Sequence, residues 1–135
     1  EGNAQQIQQN IEEYGYTVAA SLDQNKSKIG SLTEEALVRL KGQADCILIE
    51  ADGAKRLPLK VPGEWEPVIP DFTDLVVGVI GMDAVGQMIR ESCHRPERVA
   101  AFLNKEQTDP VTEADVIRIA VSEKALKKSS RTASI

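Results

Sequence analysis

Cys46-Ile47-Leu48-Ile49-Glu50-Ala51-Asp52-Gly53 is the stretch on which the reading of the fold turns. Its four consecutive apolar residues, followed by acids and a glycine, predict a short strand covered on both faces, the environment of a parallel sheet flanked by helices. A second run, Leu75-Val76-Val77-Gly78-Val79-Ile80, predicts another strand of the same kind. Upstream, Ile7, Ile11 and Tyr14 recur at helical spacing until Gly15, so residues 4–13 read as an amphipathic helix, with a strand over 16–20. Ser31 and Glu34 form a capping-box pattern opening a second helix that carries Leu37 and Leu40 and stops at Gly42. Downstream, Pro96 suits the first turn of a helix carrying Val99, Phe102 and Leu103. Thr112 caps a last helix with Val116, Ala120 and Val121 inward. Helix and strand alternate in this order, which predicts one α/β layered domain over residues 1–128, mainly a parallel sheet with flanking helices, and a polar tail over 129–135.

Composition narrows the functional classes. The chain has 135 residues, 16 Lys and Arg against 21 Asp and Glu, a formal charge of −5 and 41% hydrophobic content. These values suit one globular domain and speak against broad attraction to nucleic acid or to an anionic membrane. Cys46 and Cys93 lie far apart without a CxxC pair, so a disulfide framework is not expected, and burial is the simpler fate of Cys46 in its apolar run. One histidine, His94, excludes His-rich zinc motifs, and the apolar runs are too short to cross a bilayer. Neither end resembles a signal peptide, and Asn25-Lys26-Ser27 matches the glycosylation sequon without a compartment to support it; the expected location is the cytoplasm.

Chemistry is expected after the first apolar strand. In open α/β sheets ligands sit beyond the carboxyl ends of strands, where this strand delivers Glu50, Asp52 and Gly53. The period of two places both acids on one side, able to hold Mg²⁺ through water or to orient a nucleophilic water, and Lys55 and Arg56 bring charges suited to phosphate. An apolar strand ending in an acid is similar to the magnesium-binding element of P-loop nucleotide hydrolases. The competing reading is that Glu50 and Asp52 pair with Lys55 and Arg56 as loop charges. From Asp52 to Asp71 the chain contains Pro58, Pro62, Pro67 and Pro70, so this stretch is expected to be neither helix nor central strand; a connection of that length is more often functional than accidental.

Other motifs are weaker. No GxxxxGK[ST] phosphate cradle occurs, and Asn104-Lys105-Glu106-Gln107 begins like a guanine-reading NKxD element but lacks its acid and its preceding strand. Ser92-Cys93-His94-Arg95-Pro96-Glu97 joins the only histidine to a thiol and an arginine before a helix, a place that favours anions. Trp65 reads as packing the proline loop onto the sheet, and Lys124, Lys127, Lys128 and Arg131 as a solvated helix end.

Residues 50–60, Glu64-Trp65-Glu66-Pro67-Val68-Ile69-Pro70, residues 81–86 and His94-Arg95-Pro96-Glu97 together resemble the YqeC-type accessory proteins of selenium-dependent molybdenum hydroxylases. The resemblance runs from about residue 17 to 128. It implies a P-loop NTPase-like fold and a role in maturing those hydroxylases or supplying their selenium-containing cofactor, through Mg²⁺ and a nucleotide. Members of this type carry a P-loop near the N-terminus and an NKxD-like segment near the C-terminus; this chain has neither and reads as a middle fragment, expected to be inactive alone. Carried over, Asp52 is the magnesium-side acid, Glu50 a water-orienting acid, and Lys55, Arg56 and Lys60 meet phosphate. His94 and Arg95 form a second element near the same edge. The implied partners are a nucleotide and the hydroxylase or cofactor-synthesis proteins, with no nucleic acid and no membrane. The alternatives are a noncatalytic docking or cofactor-carrier module, and selenium handling at Cys93, which needs an exposed thiol of depressed pKa.

Overall fold

A computed structural model describes residues 4–23 and 28–129 and divides the chain into two compact units, Glu1–Ile49 and Glu50–Ile135. The sequon and the tail beyond Ser129 lie outside the described residues.

The first unit begins with α1, Ala4–Tyr14, where the helical spacing predicts one. Gly15 ends it at φ 78, its N–H donating back to the Ile11 carbonyl, a conformation that glycine adopts without steric penalty. The strand expected over 16–20 is not formed. Instead β1, Ser21–Asp23, pairs antiparallel with β2, Lys28–Gly30. The second helix, α2, spans Glu34–Leu40, and its cap is Thr33 rather than Ser31: the Thr33 hydroxyl accepts from the Ala36 N–H, while the Ser31 carbonyl accepts from the Ser21 hydroxyl. A cap must sit directly before the first helical residue, and that position belongs to Thr33.

The second unit holds the core. Strand β3, Leu59–Lys60, pairs in parallel with β4, Cys93–His94, with Leu59 opposite Cys93 and Lys60 opposite His94. β3 lies inside the proline-rich stretch expected to hold no central strand, and it is not one: the two-residue ladder belongs to a two-stranded sheet that has only edges, where proline is tolerated. Between the strands come a single 3₁₀ turn, Met82–Ala84, and the short helix α3, Ile89–Ser92. Helix α4, Pro96–Leu103, starts with its proline as expected and buries Val99, Ala100 and Leu103. Helix α5, Glu113–Val121, carries the full Thr112–Asp115 capping box. Val116 and Ile119 point inward, whereas Val121 is exposed, because five positions from Val116 turn the side chain far from the buried stripe. Leu59, Ile89, Cys93, Val99, Val111 and Ile119 are the largest of the fully buried side chains.

The two apolar runs that predicted central strands form no ladder. Leu48 is 92% exposed, and Leu75, Val77 and Val79 face solvent while Val76 and Ile80 are half-buried, the alternation of an extended chain lying on the core by one side. Apolar sequence alone cannot supply hydrogen-bonding neighbours, and among the described residues neither run has one. The coarse class, helices with a small parallel sheet, is α/β as expected.

Candidate functional site

Alternation along the β3–β4 ladder makes the site. Leu59 and Cys93 enter the core, each 1% exposed, so their neighbours Lys60 and His94 must share the opposite face. Arg95 follows at φ 56, a left-handed conformation that turns its side chain before Pro96 opens α4. Lys55 and Arg56 are left-handed too, at φ 51 and 62. Such conformations cost non-glycine residues about 1–3 kcal/mol each and persist where the surroundings impose them.

Glu66 ties the face together. Arg95 donates from Nη1 and Nη2 to its two carboxylate oxygens at 2.8 and 2.7 Å, Lys60 Nζ lies 2.9 Å away, and the Gly63 N–H donates at 3.0 Å. A Cβ on Gly63 would stand 2.8 Å from Arg95 Nη1, so a side chain there would push the guanidinium off its partner. Lys60 also pairs with Asp52 and donates to the Gly53 carbonyl at 2.9 Å. The loop that bears Glu66 is held from outside the sheet, Lys128 donating to the Gly63 and Glu64 carbonyls at 2.8 and 2.6 Å and Arg98 to that of Pro62 at 3.3 Å.

The charges act on one another. The Arg95 guanidinium, with help from the Gly63 N–H and Lys60, holds the Glu66 carboxyl at about 2 against an ordinary 4.5. Burial lowers His94 most, and the positive charges of Lys60, Arg95 and Lys55 lower it further against an opposing pull from Glu66. A carboxyl with a depressed folded pKa contributes stability that is complete above the unfolded value and lost as pH falls through the folded one. Thermal melts of wild type and Glu66→Gln should therefore differ most above pH 4.5 and converge toward pH 2.

The sequence-selected residues are partly gathered. Asp52, Lys55, Lys60, His94 and Arg95 lie around this face, Arg56 is exposed in the Lys55 turn, and Glu50 is exposed beside Gly53. His94 and Arg95 reach Lys60 through β3 and β4 and not through the two apolar runs. Asp52 pairs with Lys60, a partner neither reading chose. Glu66, Gly63, Arg98 and Lys128 were missed as site-builders. Nothing in sequence distinguishes Glu66 from Glu64, and the Lys128 contact spans 65 positions. Trp65, expected to pack, is 88% exposed. Lys128 is a clamp rather than a solvated helix end.

Two other expectations change. Cys46 is exposed, and Cys93 is buried with its thiol pushed up by desolvation, which removes the basis for selenium handling at Cys93. Iodoacetamide should label Cys46 in the native protein and Cys93 only after unfolding, as peptide mass spectrometry would read. In the NKxD-like segment Lys105 pairs with Asp115 and donates to the Pro110 carbonyl at 3.0 Å, a structural clasp at the α5 cap.

Mg²⁺ is usually held by one or two carboxylates together with water and substrate phosphates. Here Asp52 already carries the Lys60 ammonium, and no group of three or more His, Cys, Asp or Glu among the described residues could hold a metal ion. With Asp52 so paired, the carboxylates of this face do not fit a divalent cation.

A family model described as YqeC protein matches residues 1–97, which include every member of the Asp52–Lys60–Glu66–Arg95 cluster. The chain belongs to the YqeC family. It is 40% identical over 74 residues to an Escherichia coli K12 protein described as uncharacterized protein YqeC, an alignment covering 53% of this chain and 29% of that relative. The chain thus spans less than a third of the curated YqeC relative's length. No solved structure matches it. Lys128, which clamps the Glu66 loop, lies beyond the part matched to the YqeC family. No helix among the described residues is long and apolar enough to cross a membrane.

Proposed function

We propose that this chain is the anion-handling part of an accessory protein that matures selenium-dependent molybdenum hydroxylases or supplies their selenium-containing cofactor. In the longer protein it would bind the phosphates of a nucleotide on a P-loop NTPase-like frame, in the cytoplasm. The observation that carries this reading is the gathering of Lys55, Lys60 and Arg95 around His94, with Arg95 presenting its fork to a carboxylate, within the part matched to the YqeC family. A guanidinium fork and an ammonium are the donors that phosphate recognition uses. Arg56 adds charge at the rim. Asp52 as a magnesium-side acid and Glu50 as its companion would require Lys60 to leave Asp52, so no catalytic step is assigned to them.

Calorimetric titration of the longer protein with Mg-ATP, Mg-GTP and Mg-CTP, with this chain as control, tests the reading. Tighter binding by the longer protein, selective for one base, supports it, and binding by neither overturns it.

A second reading, a noncatalytic docking module, is favoured by one observation: Trp65 stands exposed at the tip of a proline-framed loop fastened by Lys128, Arg98 and the Glu66 pairs. It predicts capture of the hydroxylase or of a cofactor-synthesis protein without nucleotide, lost in Trp65→Ala and kept in Asp52→Asn.

A further inference from the structure

The cations and the acid of the central cluster sit on different kinds of support. Lys60 and His94 belong to the β3–β4 ladder, and Arg95 is fixed between β4 and α4. Glu66 lies on the connecting loop, where no ladder hydrogen bond holds it. The loop is further anchored by hydrogen bonds from Lys128 and Arg98 to the carbonyls of Pro62, Gly63 and Glu64 and by burial of Val61, Pro62 and Gly63, all before Glu66. Lys60 is moreover shared between two carboxylates, Asp52 and Glu66, so it stays paired if one departs. The two Glu66 oxygens lie against the two Arg95 nitrogens at 2.7 and 2.8 Å, the side-by-side grip that a guanidinium gives to carboxylate and to phosphate alike.

We propose that Glu66 is a built-in occupant of the anion site: a phosphoryl oxyanion offering two oxygens to Arg95 exchanges with the Glu66 carboxylate and releases the loop that carries Trp65. The inference rests on the reading of this face as an anion site. Binding is then a substitution of one anion for another, so Arg95 and Lys60 are not left without a counter-charge. The exchange turns occupancy of the site into movement of an exposed aromatic side chain, which suits a protein that signals its loading state to a partner. Its consequence is that the wild-type protein binds its anion more weakly than the cations alone would allow, because part of the binding energy displaces Glu66.

Trp65 is the single tryptophan of the chain, so its emission reports the loop without labelling. The test titrates the full chain with inorganic pyrophosphate, and separately with ATP, by calorimetry and by Trp65 fluorescence. The proposal expects wild type to bind with a change in Trp65 emission and Glu66→Gln to bind about tenfold tighter, since the competing charge is gone, with its emission already near the released value. Arg95→Gln should bind at least about tenfold more weakly. Preference for ATP over pyrophosphate identifies a nucleotide as the source of the oxyanion, and equal affinity identifies free phosphate; both support the exchange. Binding by wild type with equal or weaker binding by Glu66→Gln overturns the exchange and leaves the anion site standing. Binding by neither protein overturns the anion site and the exchange with it. If Glu66→Gln has lost its folded circular dichroism, Glu66→Asp, which keeps the charge on a shorter side chain, takes its place: tighter binding than wild type, by a smaller factor, supports the exchange, and equal or weaker binding overturns it.

Discussion

Lys60→Met should lower the stability of the second unit by about 2 kcal/mol, read as a shift in the thermal midpoint by circular dichroism. Methionine keeps an unbranched stem of similar length, so the apolar contacts of the side chain largely survive and the loss isolates the charge. The Lys60 side chain is only 9% exposed and serves Asp52, Glu66 and the Gly53 carbonyl together. Removing one partner from a fully buried ion pair costs about 3–5 kcal/mol. Here the carboxylates of Asp52 and Glu66 are 20% and 27% exposed, so water recovers part of that loss and the smaller figure applies. Because the damage lies in the carboxylates left behind, Asp52→Asn in the Lys60→Met background should restore part of the midpoint. Asp52→Asn alone should lower it. If the second substitution worsens the first, Asp52 and Lys60 are not coupled as described.

Ile89→Ala should be more severe, about 3 kcal/mol. Ile89 is wholly buried at the start of α3, in the cluster that contains Leu59 and Cys93. Truncating a buried isoleucine to alanine costs about 2–5 kcal/mol through lost transfer energy and the cavity left behind. The effect reaches the site because Leu59 and Cys93 are the inward halves of the ladder whose outward halves are Lys60 and His94. The variant should therefore also shift the His94 proton resonance in the folded protein, while Ile117→Ala, at an exposed position on α5, leaves both midpoint and resonance nearly unchanged. A midpoint loss below about 1 kcal/mol for Ile89→Ala would contradict this account of the core.

How far sequence reached depended on the range of the interaction. Helices α1, α4 and α5 were legible because spacing, Pro96 and the Thr112–Asp115 box act within a few residues. The two apolar runs were misleading because a strand is completed by neighbours, and local pattern cannot say whether they are there. His94 and Arg95 were found from their chemistry and Lys60 from family resemblance, yet their meeting depends on a two-residue parallel ladder between proline-flanked and cysteine-containing segments. Glu66 has no legible role in sequence, since an acid beside a tryptophan and a proline carries no local signature for an arginine 29 positions away.

If Lys60, His94 and Arg95 frame an anion site, the proton resonances of the single histidine register its occupancy. An NMR pH titration in dilute buffer should place His94 below the ordinary imidazole value, in the direction set by burial and by Lys60, Arg95 and Lys55. Saturating pyrophosphate should move it upward, because an anion at this face offsets those charges. An identical titration curve with and without pyrophosphate would contradict the claim.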